Sequence, residues 1–462
     1  MGGHWAVAAI DTIAREAMLF AAFGFLVGGL DDLAIDLRWL VTRWQPGLHR
    51  PPASLCVYRR TPPRPLAVFV AAWDEAAVIG DMLRTALTRF DHADYRLYVG
   101  TYPNDRATIA AVAAVALGDA RVRLVIGEHP GPTTKADCLN TLWHALHRDE
   151  AAAGRETVAV VLHDAEDVVH AGELRVFDAL IGAYSAVQLP VLPLVDPRAR
   201  LVSGHYADEF AEAHGKQLVV REQLGVGLPL AGVGCAIERG MMAQIAASRG
   251  GDPFDPASLT EDYELGLRIA ALGGRATLAR VSDATTGDPV AVRAYFPSTI
   301  TTAVRQKARW MTGIALAGWD RLGWGPVRDW RDHWMRMRDR RGPIAVVVLT
   351  TAYLALVAWT VTQLAHALLQ TAPPRFAPAT EWLLRVNGCL LAWRLLVRAA
   401  FTGRAYGWRE ACWSVPRAFV GNCIALLAAR RALSSYVGSL RGAALQWDKT
   451  AHVFPVHPGT DR

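Results

Sequence analysis

Four short apolar runs, at residues 66–70, 95–100, 122–126 and 158–162, alternate with stretches of helical pattern at 75–90, 106–117 and 135–147. An apolar run of strand length reads as a buried strand. Its alternation with helices predicts an α/β domain with a mostly parallel sheet covered on both faces. The pattern extends from residue 64 to about 287. Ligands of such sheets sit beyond the carboxyl ends of the strands. Polar clusters fall at those ends: Trp73-Asp74-Glu75, Asn104-Asp105 and His163-Asp164-Ala165-Glu166-Asp167.

A different pattern flanks this domain. Residues 344–369 hold no Asp, Glu, Lys or Arg over 26 positions, more than the roughly 20 needed to cross a hydrocarbon core. Residues 18–30 form a shorter apolar run, extendable backwards only through Asp11, Arg15 and Glu16. Without a basic leader or a small-residue cleavage site, this run reads as a retained anchor. After a Pro-rich connection at 371–378, a second apolar helix at 382–401 carries Arg385, Arg394 and Arg398 near its ends, where they could snorkel. The last apolar stretch, 418–429, is flanked by Arg417, Arg430 and Arg431. Arginines on both sides conflict with a span and predict an interfacial or re-entrant helix.

Length, composition and charge refine this plan. A chain of 462 residues holds two to three domain-sized units, and 52% hydrophobic residues with a mean hydropathy of +0.16 suit a partly lipid-embedded protein. The expected divisions are an anchor and amphipathic linker at 1–50, a catalytic domain at 51–298, interfacial helices at 299–341, membrane helices at 342–433 and a terminal segment at 434–462. The net charge of +6 is concentrated by position: residues 305–341 carry ten Lys/Arg against four Asp, and five of the 16 tryptophans. Basic residues beside a span mark the cytoplasmic side, and Trp prefers the headgroup layer. Because a span follows immediately, the patch points to lipid and not to nucleic acid. The amino terminus and the 371–378 loop are then expected outside, with the domain inside. Six cysteines without a CxxC pair or metal-ligand spacing suggest reduced thiols.

The polar clusters suit one kind of chemistry. Displacing a diphosphate leaving group calls for a divalent cation, and Mg2+ or Mn2+ prefers oxygen ligands from one or two carboxylates plus substrate phosphates. The 158–162 run delivers Asp164, Glu166 and Asp167 at its end. Residues two apart in an extended segment point the same way, so Asp164 and Glu166 can converge on one ion; a solvated acidic turn is the plainer reading. Activating an acceptor hydroxyl needs a base within hydrogen-bond reach. Thr260-Glu261-Asp262 opens a helical run at 263–272, and capping alone could explain it. Gln306-Lys307-Ala308-Arg309-Trp310 is helical and amphipathic, and an interfacial anchor is its bland explanation. Gly131-Pro132-Thr133-Thr134-Lys135 precedes a helix and could cradle phosphate, although it lacks P-loop spacing.

Taken in order, the Trp73-Asp74-Glu75, Asp105, Lys135-Ala136-Asp137-Cys138-Leu139-Asn140, Asp164-Ala165-Glu166-Asp167, Thr260-Glu261-Asp262 and Gln306-x-x-Arg309-Trp310 segments resemble membrane-bound glycosyltransferase family 2, enzymes of the GT-A fold. The closer resemblance is to the NfrB-type bacteriophage adsorption protein branch. It runs through Ala231-Gly232-Val233-Gly234 and Met311-Thr312-Gly313-Ile314 to Trp447-Asp448-Lys449-Thr450-Ala451-His452-Val453-Phe454-Pro455, nearly the whole chain. The resemblance implies that Asp74 and Asp105 line the nucleotide pocket and that Lys135 sits near the nucleotide or its phosphates. It implies that Asp164 and Glu166 hold Mg2+ or Mn2+, with Asp167 competing as second ligand because the motif reads Asp-Ala-Glu-Asp. Asp262 would be the general base, beside Glu261, and Gln306, Arg309 and Trp310 would shape the acceptor and diphosphate side. Asp74 stands where Asn is common in the family.

The resemblance thus implies an inverting transferase at the bacterial inner membrane, multi-pass, with a cytoplasmic catalytic domain. It would move a sugar from a nucleotide-diphosphate sugar, a UDP-sugar by family expectation, to a glycan or lipid-linked hydroxyl acceptor for surface or exopolysaccharide synthesis. An outer-membrane or periplasmic export partner fits the same setting. No PilZ-like regulatory module is expected in the 30 or so residues after Arg431. Two alternatives come from other classes. A non-catalytic membrane receptor or export component would dispense with the metal and base carboxylates, and a nucleotidyltransferase would leave the 306–310 motif unexplained.

Overall fold

The computed structural model describes residues 2–44, 52–442 and 453–455. The chain opens with one long helix, α1 (Gly2–Trp44), and then enters the α/β domain. Four strands match the apolar runs: β1 (Leu66–Ala71), β2 (Tyr95–Thr101), β3 (Val122–Ile126) and β4 (Ala159–Asp164). Three shorter ones follow: β5 (Ala186–Gln188), β6 (Cys235–Glu238) and β7 (Ala276–Leu278). The sheet order is β3-β2-β1-β4-β6-β5-β7. The first four strands are mutually parallel, with Val68 of β1 in register with Leu97 and Val161. β6 runs antiparallel to both its neighbours.

β1 is buried at every position, which is why its sequence is continuously apolar instead of alternating. Its side chains still divide by parity. Val68 and Val70, with Leu97, Val99 and Val161, pack under α2 (Ile79–Arg89) and α3 (Arg106–Ala116). Ala67 and Phe69, with Tyr98, Val160 and Leu162, pack on Leu139, Leu142 and Leu146 of α4 (Lys135–Ala153). Thr134 caps α4 by accepting from Asp137 N–H, and Gly154 ends it at φ +62°. This geometry fixes Lys135 at the helix start, facing the strand ends.

Three further helices of the domain matter to the site: α5 (Val202–Glu212), α6 (Glu261–Ala271) and α7 (Ile300–Met311). Helix α8 (Trp330–Arg340) then leads to the membrane set: α9 (Gly342–Leu369), α10 (Pro378–Tyr406) and α11 (Trp408–Leu440). Among the described residues, Val7–Trp44, Gly342–Leu369 and Trp408–Leu440 are long and apolar enough to cross a membrane.

Two expectations about this region are corrected, and of the two alternatives for 418–429 the re-entrant one falls. The first anchor is not confined to 18–30, because charges that looked like its limits are paired across to α9 and α8. Asp11 Oδ2 lies 2.9 Å from His366 Nε2, and Asp32 Oδ1 lies 3.0 Å from Arg338 and 2.6 Å from Arg341. Pairing of this kind lets a helix keep acids along its length. Arg394 and Arg398 of α10 do not snorkel to lipid headgroups; both turn inward to Glu212 of α5. The 418–429 stretch is the middle of a continuous 33-residue helix, so no re-entrant turn forms. Arg417, read as a flank, is buried and bonds Asp208 Oδ1 at 3.1 Å and the Arg200 carbonyl at 2.9 Å.

α11 is two-faced. Glu410, Ser414, Arg417, Ile424, Ala428 and Ala432 are buried and recur at helical spacing, whereas Phe419, Leu427, Leu433 and Val437 are exposed. Its beginning docks on α5 through Arg417, and its end returns to the segment after α7, where Tyr436 Oη donates to Asp320 at 2.8 Å. The Trp447–His452 part of the terminal motif lies outside the described residues. Of the rest, Phe454 packs against the core that contains Leu55 and Val281.

Candidate active site

Two strand ends and two helix starts converge on a cavity of about 140 Å³ lined by Glu75, Lys135, Asp164, Glu166, Asp167, Glu261, Asp262, Gln306, Arg309 and Trp310. Nine of the eleven residues that the sequence singles out therefore share one space. Asp74 and Asp105 are not among those lining it. They meet each other: Asp74 N–H donates to Asp105 Oδ2 at 2.6 Å, while Asp105 Oδ1 caps α3 through Thr108 N–H at 3.2 Å. Asp74 adopts φ +53°, a left-handed conformation that Asp tolerates better than most residues. The turn it makes brings Glu75, not Asp74, to the cavity.

Lys135 is the cationic centre of the acidic wall. Its Nζ lies 2.5 Å from Asp164 Oδ1 and 3.8 Å from Glu261 Oε1, and it donates to the Gly232 carbonyl at 3.4 Å. Burial alone would lower the lysine pKa, but Asp164 and Glu261 outweigh it and hold the ammonium well above its ordinary value. Opposite, burial and the neighbouring Glu261 push the Asp262 carboxyl up to about 7, against the pull of Lys135.

The acidic turn after β4 is held from behind. Asp167 Oδ2 accepts Asp164 N–H at 3.0 Å and faces His163 Nδ1 at 2.8 Å; His163 Nε2 faces Glu173 at 2.7 Å. Burial would depress the His163 pKa, yet Glu173 and Asp167 raise it to about 10.

α6 starts without help from the Thr260 hydroxyl, contrary to the capping explanation: Thr260 occupies the N-cap but makes no side-chain cap bond. Asp262 Oδ1 accepts the adjacent Tyr263 N–H at 2.8 Å. Gly313, in the π-helical turn after α7 (Thr312–Leu316), comes so close that a Cβ there would lie 2.5 Å from Thr260 Oγ1. Trp310 holds α7 against α5, edge-on to Tyr206 at 6.0 Å. Three buried polar atoms beside the cavity, Thr260 Oγ1, Gln306 Oε1 and Arg309 Nε, find no hydrogen-bond partner among the described residues. Unmatched donors and acceptors are costly in an interior, and these stand where a polar ligand would satisfy them.

Two contributors were given no role from sequence. Gly232, at φ +73°, passes so near Asp262 that a Cβ would lie 2.7 Å from its Oδ2. Gln188 holds that segment in place, accepting Ala231 N–H at 2.8 Å and donating to Val233 O at 2.9 Å. The Gly-Val-Gly triplet signals the first; only a lone polar residue ending a short apolar strand signals the second.

Comparison with known proteins agrees with this architecture. Residues 62–313, more than half of the chain, match the family described as Glycosyltransferase like family 2. Two curated relatives, Bacteriophage adsorption protein B of Escherichia coli (strain K12) and Bacteriophage N4 adsorption protein B of Escherichia coli O157:H7, are each 35% identical over 94% of this chain. The chain spans 62% of the length of each. A solved mannosyltransferase from Pyrobaculum calidifontis, in complex with GDP-Man and Mn2+, shares the fold with a TM-score of 0.53 at 18% identity, covering 92% of this chain and 99% of that one. The parallel-dominated sheet is therefore of the GT-A type, and the chain belongs to glycosyltransferase like family 2.

Proposed function

We propose that this chain is an inverting, metal-dependent glycosyltransferase that moves a sugar from a nucleotide-diphosphate sugar to a hydroxyl acceptor at the cytoplasmic face of a bacterial inner membrane. The observation that carries the reading is the position of Asp262. It is a half-buried carboxyl whose pKa is raised to about 7, in one cavity with the acidic turn, Lys135 and Arg309. A general base works best with a pKa near the operating pH.

The residues fit a hard divalent cation. Asp164 and Glu166 offer carboxylate oxygens from one turn, while among the described residues no group of three or more His, Cys, Asp or Glu is disposed to hold a metal ion by itself. Two carboxylates completed by diphosphate oxygens is the arrangement that Mg2+ and Mn2+ favour. When bound, such a cation would offset the charge of the leaving diphosphate. Asp262 takes the proton of the acceptor hydroxyl as its oxygen attacks the anomeric carbon. The bond from that carbon to the diphosphate oxygen breaks on the opposite face. Lys135 and Arg309 hold the departing phosphates, Gln306 and Trp310 shape the acceptor side, and Asp74 with Asp105 forms the turn next to the nucleotide.

The membrane geometry supports a catalytic domain resting on the bilayer. α1, α9 and the first roughly 20 residues of α10 cross, while α11 lies along the membrane face with its exposed apolar side in lipid. Both ends of α11 touch the domain, which a fully spanning helix could not do. The acceptor is a glycan or lipid-linked hydroxyl arriving at that face, and an export partner would take the product outward. A UDP-sugar is the favoured donor. A second reading draws on the relatives' names: a component of phage adsorption. Incubating membranes with UDP-, GDP- and dTDP-sugars and Mg2+ or Mn2+, and measuring nucleotide release, separates the two. Release that depends on Asp262 supports catalysis, and its absence with every donor supports the adsorption role alone.

A further inference from the structure

Behind the acidic turn lie three ionisable side chains that the chemistry above leaves aside. His163, Asp167 and Glu173 are each no more than 2% exposed. His163 stands between the two acids, with Nδ1 2.8 Å from Asp167 Oδ2 and Nε2 2.7 Å from Glu173 Oε1. Both ring nitrogens are thus engaged, and the ring is clamped between the two carboxyl groups. Glu173 is itself fixed, since its Oε2 accepts His170 N–H at 3.1 Å.

The clamp reaches the cavity through Asp167. Its Oδ2 accepts the Asp164 N–H at 3.0 Å, and its own N–H returns to the Asp164 carbonyl at 3.2 Å. Residues 164–167 are thereby closed into a reciprocal turn. Asp167 Oδ2, engaged by the His163 ring and accepting the Asp164 amide, has little capacity left for a metal. Glu166 lines the cavity from the same turn.

We infer that Asp167 is a positioning residue and not a metal ligand: held by His163 and Glu173, it folds the 164–167 turn so that Asp164 and Glu166 face one cation. This rests on the transferase reading. Groups that orient metal ligands from behind typically change metal affinity by about 10- to 100-fold when altered. Two groups acting through one clamp are non-additive in a double-mutant cycle.

The test is Mn2+ binding to the full chain in lipid nanodiscs, read by electron paramagnetic resonance with UDP and, separately, GDP present. Melting temperatures are recorded for every variant. Glu166→Gln should weaken Mn2+ the most. His163→Gln and Asp167→Asn should each weaken it by about tenfold, and the double variant by about tenfold again in total. If His163→Gln does not fold, Glu173→Gln replaces it in the cycle, because it keeps the hydrogen bond while removing the charge. Asp167→Asn losing as much as Glu166→Gln, or single effects that multiply to about a hundredfold in the double variant, would overturn the inference. Wild-type chain that binds no Mn2+ with either nucleotide would overturn the transferase reading along with it, a result distinct from wild-type binding with the wrong ranking.

Discussion

Lys135 Nζ sits 2.5 Å from Asp164 Oδ1, joining the first residue of α4 to the end of β4 across the mouth of the cavity. The same ammonium faces Glu261 and lowers the Asp262 pKa. Lys135→Met should therefore do two things. Affinity for UDP or GDP should fall by about 10- to 100-fold, the range of a lost hydrogen bond to a charged group. The acidic limb of the rate profile should also move to higher pH, since Asp262 loses a cation that favours its ionised form. Nucleotide titration calorimetry and a pH–rate series on one preparation check both, and unchanged nucleotide affinity would place Lys135 outside the donor site.

The metal pair makes a second prediction. Asp164→Ala should weaken donor binding as well as turnover, because the cation it holds is shared with the diphosphate. Glu166→Gln should cost more than Asp167→Asn. Chelation by EDTA should abolish nucleotide release, and Mn2+ or Mg2+ should restore it in the wild type but not in Asp164→Ala. Release that survives chelation would remove the metal from the account.

Gly232 offers a steric test. Its φ of +73° and the 2.7 Å approach to Asp262 leave no room for a methyl group, and both faults act on the base. Gly232→Ala should cut turnover by at least about tenfold while UDP binding changes little, given that a misplacement of about 1 Å can cost a hundredfold. Equal losses in binding and turnover would show that the 231–234 segment serves the donor instead.

Topology is open to cysteine labelling on a background with the native cysteines removed. Ala372→Cys should react from outside the cell, whereas Arg441→Cys should react only after the membrane is opened. The second result is required because the end of α11 lies at Asp320 and the Phe454 region packs on the catalytic core. Outside labelling at 441 would make α11 a span.

The central strands, and with them the position of the polar clusters at their ends, were legible because burial on both faces leaves a composition signal that needs no partner to interpret. β5 to β7 were not, since three or four residues carry too little pattern and their pairing is set by distant strands. The membrane helices were misjudged where long-range pairing hides a charge: Asp11 with His366, and Arg417 with Asp208, look like helix limits until the partner is known. In the site, Asp262 was legible as an acid but its environment was not. Its proximity to neutrality comes from burial and from Glu261, neither of which one sequence position reveals. Gln188 stayed hidden because its role is to satisfy backbone groups 43 residues away.

The central claim is that Asp262 removes the acceptor proton. With its pKa near 7, the wild-type rate should fall tenfold per pH unit below that value, because a protonated base cannot accept. Asp262→Asn keeps size and helix-start capacity but loses basicity. The decisive measurement is nucleotide release by this variant against wild type, with donor affinity determined on the same membranes. The account predicts turnover lower by about 10² to 10⁴, no acidic limb near pH 7, and donor affinity close to wild type. Turnover near wild type would contradict it, leaving Asp262 as a structural acid at the start of α6.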